Sequence, residues 1–392
     1  MTARPDGRRL LVLTPFPPRL DAAHGGGQAA ARLLLAHAER DRLVLLTLRG
    51  PGEEAVDPAL ASACEAVEEV ERMPVGRSPA VGWRERGRAA TLLRGWPLWA
   101  ASVGSRELGE RLARTARDWR PHVVQAEFAV MAPYLNVVER PARRVLVDHD
   151  PGVRAGGGPL ARRTRRRLAA AAAAAADAVV VFTEEDRAAV RALAPARTLV
   201  ERIPIPWDVP PEPLDPLGQE PPSVLFVGSF RHAPNVEAAR RLVRLLPELR
   251  RRRSDVVLAL VGEDAPPGLA VEGVVLPGFV PDVRPWLDAA AVVAAPLDAG
   301  GGMRVKVLDA LASGKAVVGT PLAFEGLDVR SGEEVLTAAD DAGLAEAMGS
   351  LLVDPERRRR LAAAARTWAA GLPTQDSVGA AYETLYRRLE EG

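Results

Sequence analysis

The sequence predicts an α/β protein built from two doubly wound, parallel-sheet, Rossmann-like domains that face a cleft. Short apolar runs bounded by turn residues alternate with helical stretches along the whole chain, the pattern of strands covered on both faces by crossover helices. The rhythm is interrupted by the proline-rich segment 206–222 and then restarts. A length of 392 residues suits two large domains or up to three of about 150 residues each.

Taken in order, the strands expected in a first domain, 1–205, are Leu10–Thr14, Leu43–Leu48, His122–Ala126, Arg144–Asp148, Ala178–Phe182 and Leu199–Ile203. The alanine run from Leu168 reads as a helix entering the fifth of these, because Asp177 interrupts it and alanine is a strong helix former of low hydrophobicity. Segment 206–222 holds too much proline for helix or strand and reads as a linker. The second domain, 223–372, repeats the pattern with Ser223–Gly228, Val256–Gly262, Gly273–Gly278, Ala291–Pro296, Ala316–Thr320 and Glu334–Ala338. In 373–392, Tyr382, Leu385 and Tyr386 fall at helical spacing, so a terminal amphipathic helix is expected to pack back toward the first domain.

Composition excludes several classes. Apolar residues make up 47% and charged residues 26% of the chain, as in folded globular proteins. A formal net charge of +1 gives no global attraction to nucleic acid. The lone Cys64 rules out a disulfide framework or a multi-thiolate metal site within one chain. No cluster has metal-ligand spacing, so neither a metal nor another cofactor is expected. The segment MTARPDGRRL enters a strand without a signal-peptide core. A cytoplasmic location is expected, peripheral to the inner face of a membrane at most.

In open parallel sheets, ligands sit beyond the carboxyl ends of the strands, so the residues just after strands carry the chemistry. The most informative stretch runs from Ala295 to Leu327, APLDAGGGMRVKVLDALASGKAVVGTPLAFEGL. Three glycines lead through Gly301, Gly302 and Met303 into a helix start carrying Arg304, Lys306 and Asp309. Glycines let backbone N–H groups approach a ligand closely, and a helix start favours negative charge; with two cations added, the stretch suits a diphosphate, and Asp309 could accept hydrogen bonds from a ribose. The bland alternative is a tight turn with a solvated basic first turn. In the first domain, His24 and Gly25 to Gly27 stand between strand and helix without the G-x-G-x-x-G fingerprint, which argues against a dehydrogenase. Thr183 reads as a helix N-cap with Asp186 completing a capping box, and Asn235 as a cap of the helix after it. The run Arg162 to Arg167 is either a solvated helix face or a contact for an anionic membrane surface or a lipid-diphosphate acceptor.

These stretches resemble retaining glycosyltransferases of the GT-B fold, specifically glycosyltransferase family 4. VLDALASGKAVVGT is similar to the second half of that family's motif, with Asp309 where a second Glu is usual. The first acid of the motif is replaced by Gly301, eight positions before Asp309. Asp298 is the nearest carboxylate that a re-routed loop could offer. Some subgroups that begin the helix Lys-Val-Leu-Glu also lack the first acid, and KVLD looks like those. The segment VGSFRHAPN is similar to the family's loop facing the donor diphosphate, which points to Gly228, Ser229 and Arg231, and PGFVPDV to its nucleobase turn, which points to Phe279 and Val280, residues that plain core packing would also explain. Gly26 and Gly27 match glycines lining the opposite wall, and His149 matches a histidine beside the reacting carbon. Glu127, at another strand end, is expected on the acceptor side.

The resemblance implies metal-independent transfer of a sugar, with retention, from a nucleoside diphosphate sugar to a glycan, lipid-linked or small-molecule acceptor. The alternatives are a non-catalytic sugar-nucleotide-binding protein, which the missing acid at Gly301 makes credible, and a GT-B nucleotide-sugar epimerase.

Overall fold

The computed structural model describes residues 7–22, 24–72, 103–153, 158–299 and 304–391. Seven strands form the first sheet: β1 (Arg9–Thr14), β2 (Arg42–Arg49), β3 (Ala66–Glu71), β4 (Val123–Glu127), β5 (Arg143–Val147), β6 (Ala178–Val181) and β7 (Leu199–Arg202). They lie in the order β3-β2-β1-β4-β5-β6-β7, and every pairing is parallel. The central strands are apolar almost throughout, as burial on both faces demands; Leu10 to Leu13 are fully buried. Strand β3 is an addition to the six expected from the sequence. Its residues AVEEVE mix three glutamates with apolar residues because it is an edge strand, covered on one side only.

The second sheet has six parallel strands, β8 (Ser223–Val227), β9 (Val257–Val261), β10 (Val274–Gly278), β11 (Val292–Ala295), β12 (Val317–Gly319) and β13 (Leu336–Thr337). Their order, β10-β9-β8-β11-β12-β13, repeats that of the first sheet with one strand fewer. Each sheet is the centre of two apolar clusters, one on either face.

The helices that matter for the site are α1 (Gly25–Ala38), α4 (Pro159–Ala174), α5 (Glu184–Arg191), α6 (Ala233–Arg252), α8 (Val305–Ala312), α10 (Pro355–Ala369) and α11 (Gln375–Glu391). Between the first two of these lie α2 (Pro58–Ala63) and α3 (Arg106–Trp119), while α7 (Arg284–Ala289) and α9 (Asp341–Val353) belong to the second domain.

The proline-rich segment is fastened to the second domain along its length. Leu214 N–H donates to Ser313 O at 2.8 Å and Gln219 N–H to Ala289 O at 2.9 Å. The fully buried Lys315 donates to Asp215 O and Asp288 O, and Arg366 to Pro210 O. The chain crosses between the domains twice, side by side, with Trp207 N–H donating to Pro373 O at 2.8 Å. The second crossing delivers α11, whose Tyr382, Leu385, Tyr386 and Leu389 sit in the apolar cluster formed by α1 and one face of the first sheet. Those residues recur every three or four positions, so they form one apolar stripe.

Candidate functional site

In each sheet the strand order reverses between two neighbours, β1 and β4 in the first, β8 and β11 in the second. Crevices open at such switch points beyond the carboxyl ends of the strands. His24 and the glycines follow β1, Glu127 ends β4, Gly228 to Arg231 follow β8, and Arg304 follows the loop after β11. The two sides approach closely, since a Cβ on Gly25 would lie 3.0 Å from Val305 Cγ2; within the first domain, one on Gly26 would lie 3.1 Å from Phe128 Cζ. A Cβ on Gly27 would meet Ala22 within its own loop. His24 caps α1, its Nδ1 accepting from Gly27 N–H at 3.0 Å, and burial pushes its imidazole down to about 4. Gly301, Gly302 and Met303 lie outside the described residues.

Lys306 is the centre of the second-domain wall. Its ammonium donates to Asn235 Oδ1 at 2.8 Å and stands 4.4 Å from the Phe226 ring centroid. Among the described residues no carboxylate pairs with it. Burial, reinforced by the neighbouring Arg304 charge, pushes it down to about 7. Gly228 is required for this arrangement, since a Cβ there would sit 2.7 Å from Lys306 Nζ. Asn235 differs from its expected role: His232 occupies the N-cap of α6, and Asn235 instead bridges Lys306 and Ser229 O, donating to the latter at 2.8 Å. Its place directly after Pro234 in the first turn carries no sequence signal for that. Arg304 is buried, donates to Leu322 O at 3.3 Å and feels the charges of Glu325 and Asp150.

Beside this anion-ready corner lies a cavity of about 420 Å³, lined by Arg32, Trp207, Gly228, Phe279, Val280 and Asp309 among others. Phe279 is 55% exposed, so it is available to a ligand and is not a core residue. Asp309 lies on this cavity beside α1, and burial raises its carboxyl to about 6, with Arg32 pulling the other way.

One predicted residue does not join this group. Arg231 is mostly exposed and ion-paired with Glu263 at 3.2 Å and with Asp264, so it stands apart from Lys306 and Arg304. Ser229, buried beside it, donates to Glu263 Oε1 at 3.0 Å. Asp298, three positions before Gly301 in the sequence, is ion-paired with the buried Arg241 at 2.8 Å.

Glu127 requires a correction. It is fully buried, with Oε2 lying 2.6 Å from His149 Nε2 and Oε1 accepting from Gln125 Nε2 at 2.7 Å. A carboxylate so enclosed reaches no acceptor; it holds the histidine. Gln125 in turn accepts from Tyr386 OH of α11 at 2.5 Å. His149 is stacked on Phe128 with centroids 3.9 Å apart and meets Phe182 edge-on at 4.9 Å. The period of two along β4 puts Gln125 and Glu127 on one face, a signal present in the sequence. Thr183 caps α5, its Oγ1 accepting from Asp186 N–H at 3.1 Å.

The family described as "Glycosyl transferases group 1" matches residues 221–354, which hold the second sheet and the Lys306 corner. No curated protein sequence matches the chain. Among solved structures, sucrose-phosphate synthase from Thermosynechococcus elongatus superposes with a TM-score of 0.72 at 17% identity, over 97% of this chain and 99% of that one. An Anabaena protein, HepE, solved with UDP and glucose, gives 0.66 at 16% identity over 96% and 99%. WaaG, described as a glycosyltransferase involved in lipopolysaccharide biosynthesis, gives 0.63 at 16% identity over 98% and 100%. The chain has the GT-B fold, and its second domain carries the group 1 glycosyl transferase match.

Proposed function

We propose that the protein is a retaining glycosyltransferase of family 4 that takes a sugar from a nucleoside diphosphate sugar without a metal ion. The observation that carries this reading is Lys306, a cation at a switch-point crevice whose hydrogen-bond partner is the neutral Asn235. Removing a charge from water is costly unless an opposite charge arrives. A diphosphate supplies that charge. Lys306, Arg304 and the start of α8 would stabilise the charge that grows on the leaving diphosphate as the sugar bond breaks. Asp309 and Phe279 would hold ribose and base. His149, fixed by Glu127, would stand beside the sugar. The structures of HepE with UDP and glucose make UDP the first donor nucleotide to try.

Gly301 at the place of the first acid favours a second reading, a sugar-nucleotide binder without turnover, and Arg241 holding Asp298 keeps that reading open. Incubation with a panel of nucleotide sugars and acceptors separates the two. Release of nucleoside diphosphate, abolished by His149→Ala, supports the transferase; saturable binding with no release supports the binder; no binding of any nucleoside diphosphate ends both.

The α4 helix exposes Arg162, Arg163, Arg166 and Arg167 beside the 78% exposed Leu160. We read this face as a contact for anionic lipid, which would bring a lipid-linked acceptor within reach. Among the described residues no helix is long and apolar enough to cross a membrane.

A further inference from the structure

Arg32 belongs to α1 in the first domain and lines, from that side, the interdomain cavity that Asp309 lines from the other. One nitrogen, Nη2, is 3.7 Å from Asp309 Oδ1, and the guanidinium carbon is 4.3 Å from the centroid of Trp207, the residue at the first interdomain crossing. Its Nε is buried with no hydrogen-bond partner. The separation from Asp309 is too long for a hydrogen bond. The carboxylate is therefore neutralised electrostatically while its lone pairs stay open, and no protein donor hydrogen-bonds it among the described residues.

Resting on the donor-nucleotide reading above, we propose that Arg32 is a positioning residue for ribose recognition, holding Asp309 ionised and oriented from across the cleft so that the nucleoside is read only when the two domains are together. A carboxylate that grips two neighbouring hydroxyls must be charged and must present both oxygens. Within its own domain nothing described supplies Asp309 with a countercharge. The cation comes from α1, and it is held in place by stacking on Trp207 where the chain passes from one domain to the other. A guanidinium stacks flat on an aromatic face, whereas an ammonium is a point charge, so the choice of arginine suits a fixed placement. The same contact makes the pocket dependent on closure: when the domains part, Arg32 leaves with α1, and Asp309 loses its countercharge and its fixed orientation.

The test is calorimetric titration of the full chain and of its Arg32→Gln, Arg32→Lys and Lys306→Ala variants with UDP, GDP, ADP, the 2′-deoxy form of whichever binds best, and inorganic pyrophosphate. The proposal expects Arg32→Gln to weaken the nucleoside diphosphate by about tenfold and to shrink its preference over the 2′-deoxy form, while pyrophosphate binds as to the native chain; Arg32→Lys should recover part of the loss because the charge returns. A merely structural role would not change discrimination between ribose and deoxyribose. Native-like affinity and discrimination in Arg32→Gln overturn the proposal, as does equal loss of pyrophosphate, which would mean general damage. If the native chain binds no nucleoside diphosphate, the donor reading itself fails and this one with it. If Lys306→Ala loses both ligands while Arg32→Gln is unaffected, the donor reading stands and the Arg32 proposal alone is wrong.

Discussion

Glu127 Oε2 and His149 Nε2 are 2.6 Å apart, both side chains buried, at the ends of neighbouring strands β4 and β5. The contact explains why a carboxylate tolerates complete burial there: Gln125 and His149 hydrogen-bond one oxygen each. Replacing Glu127 with Ala leaves the Gln125 amide and the His149 ring without their acceptor. A buried donor left unsatisfied costs about 1–3 kcal/mol, so Glu127→Ala should lower stability by at least that amount in denaturant melts. Donor turnover should fall with it, because the ring is no longer held against Phe128. An unchanged denaturation midpoint would show that the pair contributes nothing to the fold.

Lys306 carries a pH dependence whose sign can be worked out. Its ammonium is pushed down to about 7 by burial first and by Arg304 second. Above that pH the free protein holds the neutral amine, whereas a diphosphate favours the charged form, so binding takes up a proton. Nucleoside diphosphate affinity should therefore decline as pH rises from about 7, by at most tenfold per unit for one linked proton. Titrations at pH 8 in two buffers of different ionisation heat should report uptake near one proton in the native chain and none in Lys306→Met. The depressed value also means that this lysine costs stability below its unfolded value, fully so at and below about pH 7. Lys306→Met should accordingly raise the unfolding free energy by an amount on the order of a few kcal/mol, and with it the melting temperature, while abolishing tight binding. Lower stability in that variant would contradict the reading of Lys306 as an uncompensated cation.

Much of this architecture was legible in the sequence because the strands are buried on both faces and read as unbroken apolar runs, from LLVLT to AVVGT. Strand β3 was not, since an edge strand keeps glutamates that break the run. The Lys306 and Asp309 corner was legible because glycines and cations cluster locally on one strand-to-helix turn. What escaped were contacts between residues distant in sequence: Tyr386 with Gln125, Arg32 with Asp309, and Asn235 with Lys306. Each depends on how α11, α1 or α6 docks, which periodicity leaves undetermined. Glu127 was misplaced for the same reason. A strand-end carboxylate looks like a cleft residue until His149 and Phe128 are seen to cover it.

The basic face of α4 predicts salt-dependent lipid binding. No acidic residue interrupts the helix, and four of its arginines are exposed. Attraction to an anionic surface is worth about 1 kcal/mol per arginine and is screened within a Debye length. Sedimentation with vesicles containing anionic lipid should therefore fall sharply between low and physiological salt. It should be largely lost in the variant with Arg162, Arg163, Arg166 and Arg167 changed to Gln, and absent with neutral vesicles. Equal sedimentation of native and variant chains would leave α4 as a solvated face.

Gly326 of the second domain and Thr183 of the first meet across the domain boundary. Gly326 has φ +79, and a Cβ there would come within 2.6 Å of Thr183 Cγ2. Gly326→Ala therefore meets two separate obstacles. The left-handed backbone alone costs about 1–2 kcal/mol, and the clash adds a penalty that parting the domains can relieve. Thr183→Ser deletes the offending methyl but keeps the hydroxyl that caps α5 through Asp186 N–H. In a double-mutant cycle the backbone cost should persist while the clash disappears, giving a coupling within about 0.5–3 kcal/mol. Small-angle scattering should show Gly326→Ala with a larger radius of gyration than the native chain, and the double variant should return toward the native value. Strict additivity, with no change in radius, would mean that this contact does not limit closure.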